Sequence, residues 1–269
     1  MSDRDPLAAD ADAAPVRPAG EHAVALEAVQ KRFGDKIIYQ ALDLAVRRGE
    51  TLTVLGPSGV GKSVMLKLVI GLLRPDGGRV LVDGVDVATL EEDALRELRR
   101  KVGMLFQGAA LFDSMSVGEN VAYGLYEHFR WPADKVRARV GECLEWVGLP
   151  GIEAMRPADL SGGMKKRVGL ARALATGPEV ILYDEPTTGL DPTNTRRINE
   201  LIVSLQEKLG VTSIVITHDM QSALAVSDRV ALLDGGRIRI TVDRQEAEAS
   251  PPPELERFMR GEEVDEQRP

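Results

Sequence analysis

Gly56-Pro57-Ser58-Gly59-Val60-Gly61-Lys62-Ser63 is the stretch whose reading decides the fold. It matches the pattern G-x-x-x-x-G-K-[ST]. Thr51-Leu52-Thr53-Val54-Leu55 precedes it, an apolar, β-branched run that reads as a strand. The segment 64–73 follows, and its composition predicts a buried helix stopped by Pro75. Strand, glycine loop and helix form the context in which this motif cradles phosphate. The glycines let several backbone N–H groups aim at one point, a nest for phosphate oxygens. The helix N-terminus adds positive partial charge there. Lys62 would then reach the β/γ-phosphates, and the Ser63 hydroxyl would ligate Mg²⁺. The rival reading, a glycine turn with a chance lysine, has to explain every fixed position and both flanks at once. The loop alone does not say which nucleotide binds or what its energy drives.

Composition narrows the class. The 269 residues allow one large or two small domains, and 43% hydrophobic content supports a sizeable core. The net charge is −8, the wrong sign for a nucleic-acid-binding protein. Cys143 is the one cysteine, so no disulfide can form within the chain. No apolar run approaches the roughly 20 residues that span a bilayer. The Ala-, Asp- and Pro-rich segment 1–22 lacks the apolar core of a secretory signal and reads as a disordered arm.

Outward from the loop, Val24 and Leu26, then Leu42, Leu44 and Val46, alternate as strand residues do, with a turn expected over 31–36. Asp76-Gly77-Gly78 and Asp83-Gly84 read as turns around a short strand over 79–82. A charged helix over 91–100 and a strand over 102–106 lead to Gln107. From 108 the character changes: Val136, Val140, Cys143, Leu144 and Val147 recur at helical spacing, with Gly148 closing the helix. This predicts an α-helical subdomain over about 108–166, inserted in an α/β core. The runs 180–184 and 213–218 are short, apolar and polar-ended, the pattern of doubly buried parallel strands with ligands at their carboxyl ends. Helices are expected over 193–209 and 220–226, then a hairpin over 229–240. The expected fold is therefore an α/β P-loop NTPase (RecA-like) core over 23–245, with an N-terminal antiparallel β region. The charged tail 246–269 carries only Leu255, Phe258 and Met259 as apolar anchors. It reads as solvated, with contact to a dimer partner through Phe258 and Met259 as the alternative.

Asp184-Glu185 closes the 180–183 strand, where one carboxylate can hold Mg²⁺ and its neighbour can deprotonate water. Leu160-Ser161-Gly162-Gly163-Met164 opens a helix with a hydroxyl and free N–H groups, a second phosphate cradle or a plain N-cap. One nucleotide needs one cradle. A dimer in which each copy's Ser161 turn covers the other's Gly56 loop accounts for two.

These elements together resemble the ATP-binding cassette (ABC) transporter ATPases. The order of the 56–63 loop, Gln107, the 160–163 turn, the strand ending in Glu185, Gly189-Leu190-Asp191 and His218 carries the resemblance, which covers about residues 23–240. It implies an ATP- and Mg²⁺-dependent ATPase. Phe33 would stack on adenine, Gly56 to Val64 with Lys62 would bind phosphates, and Ser63, Gln107 and Asp184 would serve Mg²⁺. Glu185 would be the general base, His218 the γ-phosphate switch, and Gln107 the sensor linked to a membrane partner. Ser161, Gly162 and Gly163 would act in trans, and Asp191 would couple the two sites. Core packing competes for Phe33, a surface position for Gln107, and a helix cap for His218. Val64 departs from the pattern, since many relatives carry a second hydroxyl there.

The run Met104 to Tyr123 and the turn with Met164 in place of the usual glutamine resemble the ATPases of Mla-type (Mce) phospholipid transporters. That resemblance implies a homodimer on the cytoplasmic face of the inner membrane, held by an integral-membrane permease and joined by an MCE-domain lipid-binding protein. Ala109, Leu111, Phe112 and Met115 would form the apolar patch that meets the permease. Transport of another cargo, a soluble non-transport ABC ATPase and a small-molecule kinase are the rival readings. The last would leave Ser161, Gly163 and His218 without work.

Overall fold

The computed structural model describes residues 21–262. Most of the arm read over 1–22, and the last seven residues of the tail, lie outside them. Two long strands, β1 (His22–Phe33) and β2 (Lys36–Arg47), pair antiparallel around a two-residue turn at Gly34-Asp35. The turn expected over 31–36 is thus too wide. Lys31 and Arg32 stay in strand because Asp76 accepts from the Lys31 ammonium at 3.1 Å and the Arg32 N–H at 2.7 Å. β3 (Thr51–Leu55) is buried on every residue and runs into α1 (Lys62–Val69).

α1 begins two residues earlier and ends four residues sooner than the expected helix over 64–73. Gly71 takes φ 65°, and the N–H of Leu72 turns back to the Lys67 carbonyl at 2.8 Å. That left-handed C-terminal motif ends the helix well before Pro75. β4 (Gly77–Val82) starts inside the expected turn, Gly77 and Gly78 already lying against β1, where a Cβ on Gly78 would stand 2.3 Å from the Ala28 carbonyl oxygen. β5 (Val85–Asp86), α2 (Glu92–Lys101) and β6 (Val102–Leu105) complete the first half.

Three helices follow: α3 (Val117–His128), α4 (Ala133–Trp146) and α5 (Gly162–Leu174). Ser116 and Glu119 form a reciprocal capping box on α3. α4 buries Val136, Val140, Cys143 and Leu144 on one stripe, and Gly148 at φ 67° follows its end. Residue 166 lies within α5, which continues unbroken to Leu174 and packs on α3, α4 and β6. The chain then alternates β7 (Val180–Asp184), α6 (Pro192–Leu209), β8 (Thr212–Thr217), α7 (Met220–Val226) and β9 (Arg229–Asp234), with β10 (Arg237–Asp243) returning as a hairpin.

Two sheets result. The first is antiparallel, in the order β2-β1-β4-β5. The second runs β10-β9-β3-β8-β7-β6, parallel except for β10 at its edge. Side chains from both sheets and α1, among them Leu42, Met65 and Ile214, build one core, while the three inserted helices share another with Tyr183 and Ile202. Covering both faces is what buries β3, β7 and β8 on every residue. The tail is not solvated as expected. α8 (Arg244–Ala249) and α9 (Pro253–Met259) fold back so that Ala247 and Leu255 join a third cluster with Leu55, Ala223 and Leu232. Phe258 packs against the same cluster, and only Met259 of the three anchors is exposed. Burying Leu255 contributes about 2 kcal/mol, enough to hold a seven-residue helix that has little stability of its own. Among the described residues, no helix is long and apolar enough to cross a membrane.

Candidate active site

The register of three neighbouring strands makes the site. β3, β8 and β7 lie side by side and parallel, with Leu55 paired to Thr217 and Asp184 to Ile216, so their carboxyl ends release Gly56, His218 and Glu185 beside one another. At Gly56 a Cβ would stand 2.4 Å from the Leu233 carbonyl oxygen, so β9 leaves room only for hydrogen. Gly61 holds φ 115°, and a Cβ there would meet Ile38 at 2.7 Å, while its carbonyl accepts the Tyr39 hydroxyl at 2.6 Å. The loop's curvature is therefore imposed by β2 and β9 as well as by its own glycines.

The Lys62 ammonium, 6% exposed, donates to the carbonyls of Gly56 at 2.6 Å and Pro57 at 3.1 Å and lies 3.6 Å from Glu185 Oε1. Burial pulls its pKa down, and Glu185 with Asp184 works against that. Ser63 Oγ donates to Asp184 Oδ1 at 2.9 Å. Burial pushes the Asp184 carboxyl up, with the Ser63 hydrogen bond opposing it. This pair of hard oxygens at the mouth of the loop suits Mg²⁺, which takes few protein ligands and completes its shell with phosphate and water.

Glu185 is the strained centre. Its φ is 47°, in the left-handed region that favours glycine, and its N–H is fixed on the Ile216 carbonyl at 2.9 Å. The carboxylate meets His218 Nδ1 at 3.0 and 3.1 Å and accepts the Thr188 hydroxyl at 2.9 Å. The helix cap that competed for His218 is supplied instead by Asp219, whose carboxylate accepts the Gln221 N–H. Thr188 carried no signal in the sequence beyond its place after Glu185. A carboxylate so held, beside a buried lysine and an oxygen pair fit for a cation, can take a proton from water next to a bound phosphate.

The remaining residues lie apart. Gln107 is exposed on the turn after β6, and its carbonyl accepts the Lys166 ammonium. Lys166 also donates to the Glu185 carbonyl at 3.0 Å, a link that a lysine in a helical run does not advertise. Phe33 is 46% exposed at the end of β1, which removes core packing as its role. Asp191 caps α6, accepting from the N–H groups of Thr193 and Asn194. Ser161 caps α5 through the Met164 N–H at 3.3 Å. Gly163 presses on Asn194, where a Cβ would stand 2.6 Å from its side-chain oxygen, and Gly162 neighbours Leu190. The turn over 161–163 thus touches the segment around Asp191, while the 56–63 loop is surrounded by Tyr39, Asp184, Glu185 and Leu233. Of the expected apolar patch, Ala109 is buried and Leu111 packs inward; the exposed rings are Phe112, Tyr123 and Tyr126, with Phe112 and Tyr123 4.9 Å apart.

Residues 39–188 match the family model described as ABC transporter. The methionine import ATP-binding protein MetN 2 of Rhodococcus jostii is 48% identical over 219 residues, 80% of this chain and 64% of that protein. The chain therefore spans a little under two thirds of that relative's length. The intermembrane phospholipid transport system ATP-binding protein MlaF of Haemophilus influenzae is 40% identical over 229 residues, covering 85% of this chain and 87% of that one. Among solved structures, the dimeric ATP-binding cassette MJ0796 bound to ADP and Pi superposes with a TM-score of 0.76 at 34% identity, over 82% of this chain and 98% of the other.

Proposed function

The chain belongs to the ABC transporter family of ATPases, users of ATP and Mg²⁺, and from that premise we propose that it is the hydrolytic subunit of a phospholipid transporter. The observation that carries the chemical part is the Glu185 carboxylate, oriented by His218 and Thr188 beside Lys62 and Asp184. Lys62 and the amides of the 56–63 loop hold the phosphates, and Phe33 offers its exposed face to the base. Ser63 and Asp184 would hold Mg²⁺, which when bound would neutralise phosphate charge. Glu185 takes a proton from the attacking water as the new oxygen bond to the γ-phosphorus forms. The bond to the bridging oxygen breaks, and ADP and phosphate leave. His218 keeps Glu185 aimed at that water.

The working unit in this reading is a homodimer, because Ser161 and Gly162 stand exposed at a helix N-terminus, with Leu190 and Asn194 as neighbours of the turn. A dimeric cassette with comparable architecture, bound to ADP and Pi, supports it. An integral-membrane permease docks on Phe112, Tyr123 and Tyr126 and holds the dimer at the cytoplasmic face of the inner membrane, with Gln107 relaying between permease and site and Asp191 between the two sites. Phospholipid is favoured as cargo because the match to the MlaF protein runs nearly end to end in both chains. It implies an MCE-domain partner. Higher identity to the methionine importer over a shorter share of that protein favours a small polar cargo as the second reading.

Two experiments test these layers. Glu185→Gln should lower turnover by about 10²- to 10⁴-fold while ATP still binds and traps a dimer; turnover near normal would remove the general-base assignment. Purification of the intact complex should bring down a permease, an MCE-domain protein and phospholipid. A permease with a methionine-binding protein instead would replace the cargo.

A further inference from the structure

α5 carries two things at once. Its first turn presents Ser161 and Gly163, and five residues after Ser161 it sends one buried cation between two loops. Lys166 is 5% exposed, and the charges of Asp184 and Glu185 favour its ammonium against the cost of burial. Among the described residues its ammonium donates to main-chain oxygen: the carbonyl of Gln107 on the turn after β6, and the carbonyl of Glu185 after β7, at 3.0 Å. A lysine removed from water and given two backbone acceptors is costly unless both bonds hold, so the residue constrains both loops.

Both loops need holding. Glu185 sits at φ 47°, and Ala109 and Ala110 at φ 60° and 50°, conformations that side-chain-bearing residues adopt only when surroundings enforce them. The same face of α5 enforces the second loop further along. Arg172, six residues on, donates to the carbonyls of Ala109 at 3.0 Å and Ala110 at 2.7 Å. Gly169 between them lets Ala109 approach so closely that a Cβ would lie 3.2 Å from its carbonyl oxygen. Lys166, Gly169 and Arg172 follow one another at three-residue spacing, which keeps them on one stripe of the helix.

We propose that Lys166 is a positioning residue that locks the backbone of Glu185 to that of Gln107, so that any movement of α5 is shared by the general base and the sensor turn. Lys166 does not touch nucleotide in this scheme; it acts through the two carbonyls. A shift of the Ser161 turn, made by a second copy, would reach Glu185 along a rigid helix and a single ammonium. This deepens the preceding assignment of Glu185 and Gln107 and rests on it for its catalytic consequence, though not for its structural one.

The test compares Lys166→Met and Lys166→Arg in the intact complex. Lys166→Met should lower kcat about tenfold, the weight of one charge-assisted hydrogen bond, with KM for ATP within about twofold of wild type. Lys166→Arg, which restores donors, should recover most of the loss. Hydrogen exchange should speed up by about tenfold both at the Ala109 amide, bonded to Phe106, and at the Thr188 amide, bonded to Glu185. Lys166→Leu, which removes every donor and keeps an apolar side chain in the site, should move both readouts the same way and serves if Lys166→Met does not fold. Unchanged exchange, faster exchange in one loop only, or kcat within twofold of wild type would overturn the lock. The exchange result is independent of which carboxylate is the base, so failure of the Glu185→Gln test and failure of the lock are told apart.

Discussion

The two glycine turns of this chain, 56–63 and 161–163, have similar raw materials and opposite surroundings. Each places glycines and a hydroxyl at the start of a helix. The first is enclosed by its own chain: Tyr39 grips Gly61, Leu233 closes on Gly56, and Asp184 and Glu185 face Ser63 and Lys62. The second leaves Ser161 and Gly162 exposed and rests on Leu190 and on Asn194 in the first turn of α6. The difference teaches that one turn is built to be complete within a subunit. The other is built to be presented, its Asn194 and Asp191 backing fixing its shape without covering it.

Three substitutions can break that contrast, ranked here by their effect on stability. Gly61→Ala places a Cβ against Ile38 and Tyr39 at a backbone angle that L-residues avoid. It should cost about 3 kcal/mol or more and abolish nucleotide binding, read by thermal melting and a fluorescent ATP analogue. A mild effect would mean the enclosure of the first turn is loose. Ser161→Ala removes one cap hydrogen bond and should cost about 1 kcal/mol, leaving ATP binding to the isolated subunit unchanged. In the assembled complex it should cut turnover by about tenfold or more. If turnover falls no further than stability does, Ser161 is a cap and the second turn is not presented to anything.

The smallest effect has the opposite sign. Asp184 is raised from its ordinary value of 3.8 chiefly by burial, so the folded protein binds more protons than the unfolded chain just above that pH. Stability contributed by this group is present at low pH and is lost as pH rises through the raised value. Asp184→Asn keeps an acceptor for Ser63 and removes the buried charge. It should raise Tm at neutral pH by about 2 °C without nucleotide and flatten the pH dependence on the acid side, measured by calorimetry. A lower Tm would show that Lys67 and Lys166 more than compensate the burial.

Most of the candidate site is legible in the sequence, because parallel strands deliver their terminal residues to one edge. Once 51–55, 180–184 and 213–217 read as such strands, Lys62, Asp184, Glu185 and His218 had to converge. Thr188 and Lys166 were not readable. A threonine in a loop and a lysine in a helix have the same local pattern whether they face water or a buried acceptor. Of the expected patch, Phe112 is exposed while Ala109 and Leu111 turn inward, since spacing in an irregular turn does not say which apolar side chain points inward. The tail shows the same limit: Leu255 looked too isolated to fold anything, and its partners Leu55, Ala223 and Leu232 are far away in sequence.

By itself the sequence determined the phosphate loop, the acidic strand end and the parallel order around them, because each is encoded in contiguous residues and fixed spacing. Only the tertiary structure decided where α1 stops, that the C-terminal helices dock, and that Glu185 is held in a strained backbone by His218, Thr188 and Lys166. Those outcomes depend on contacts between residues tens of positions apart, whose energies exist only once the sheets have closed on the helices.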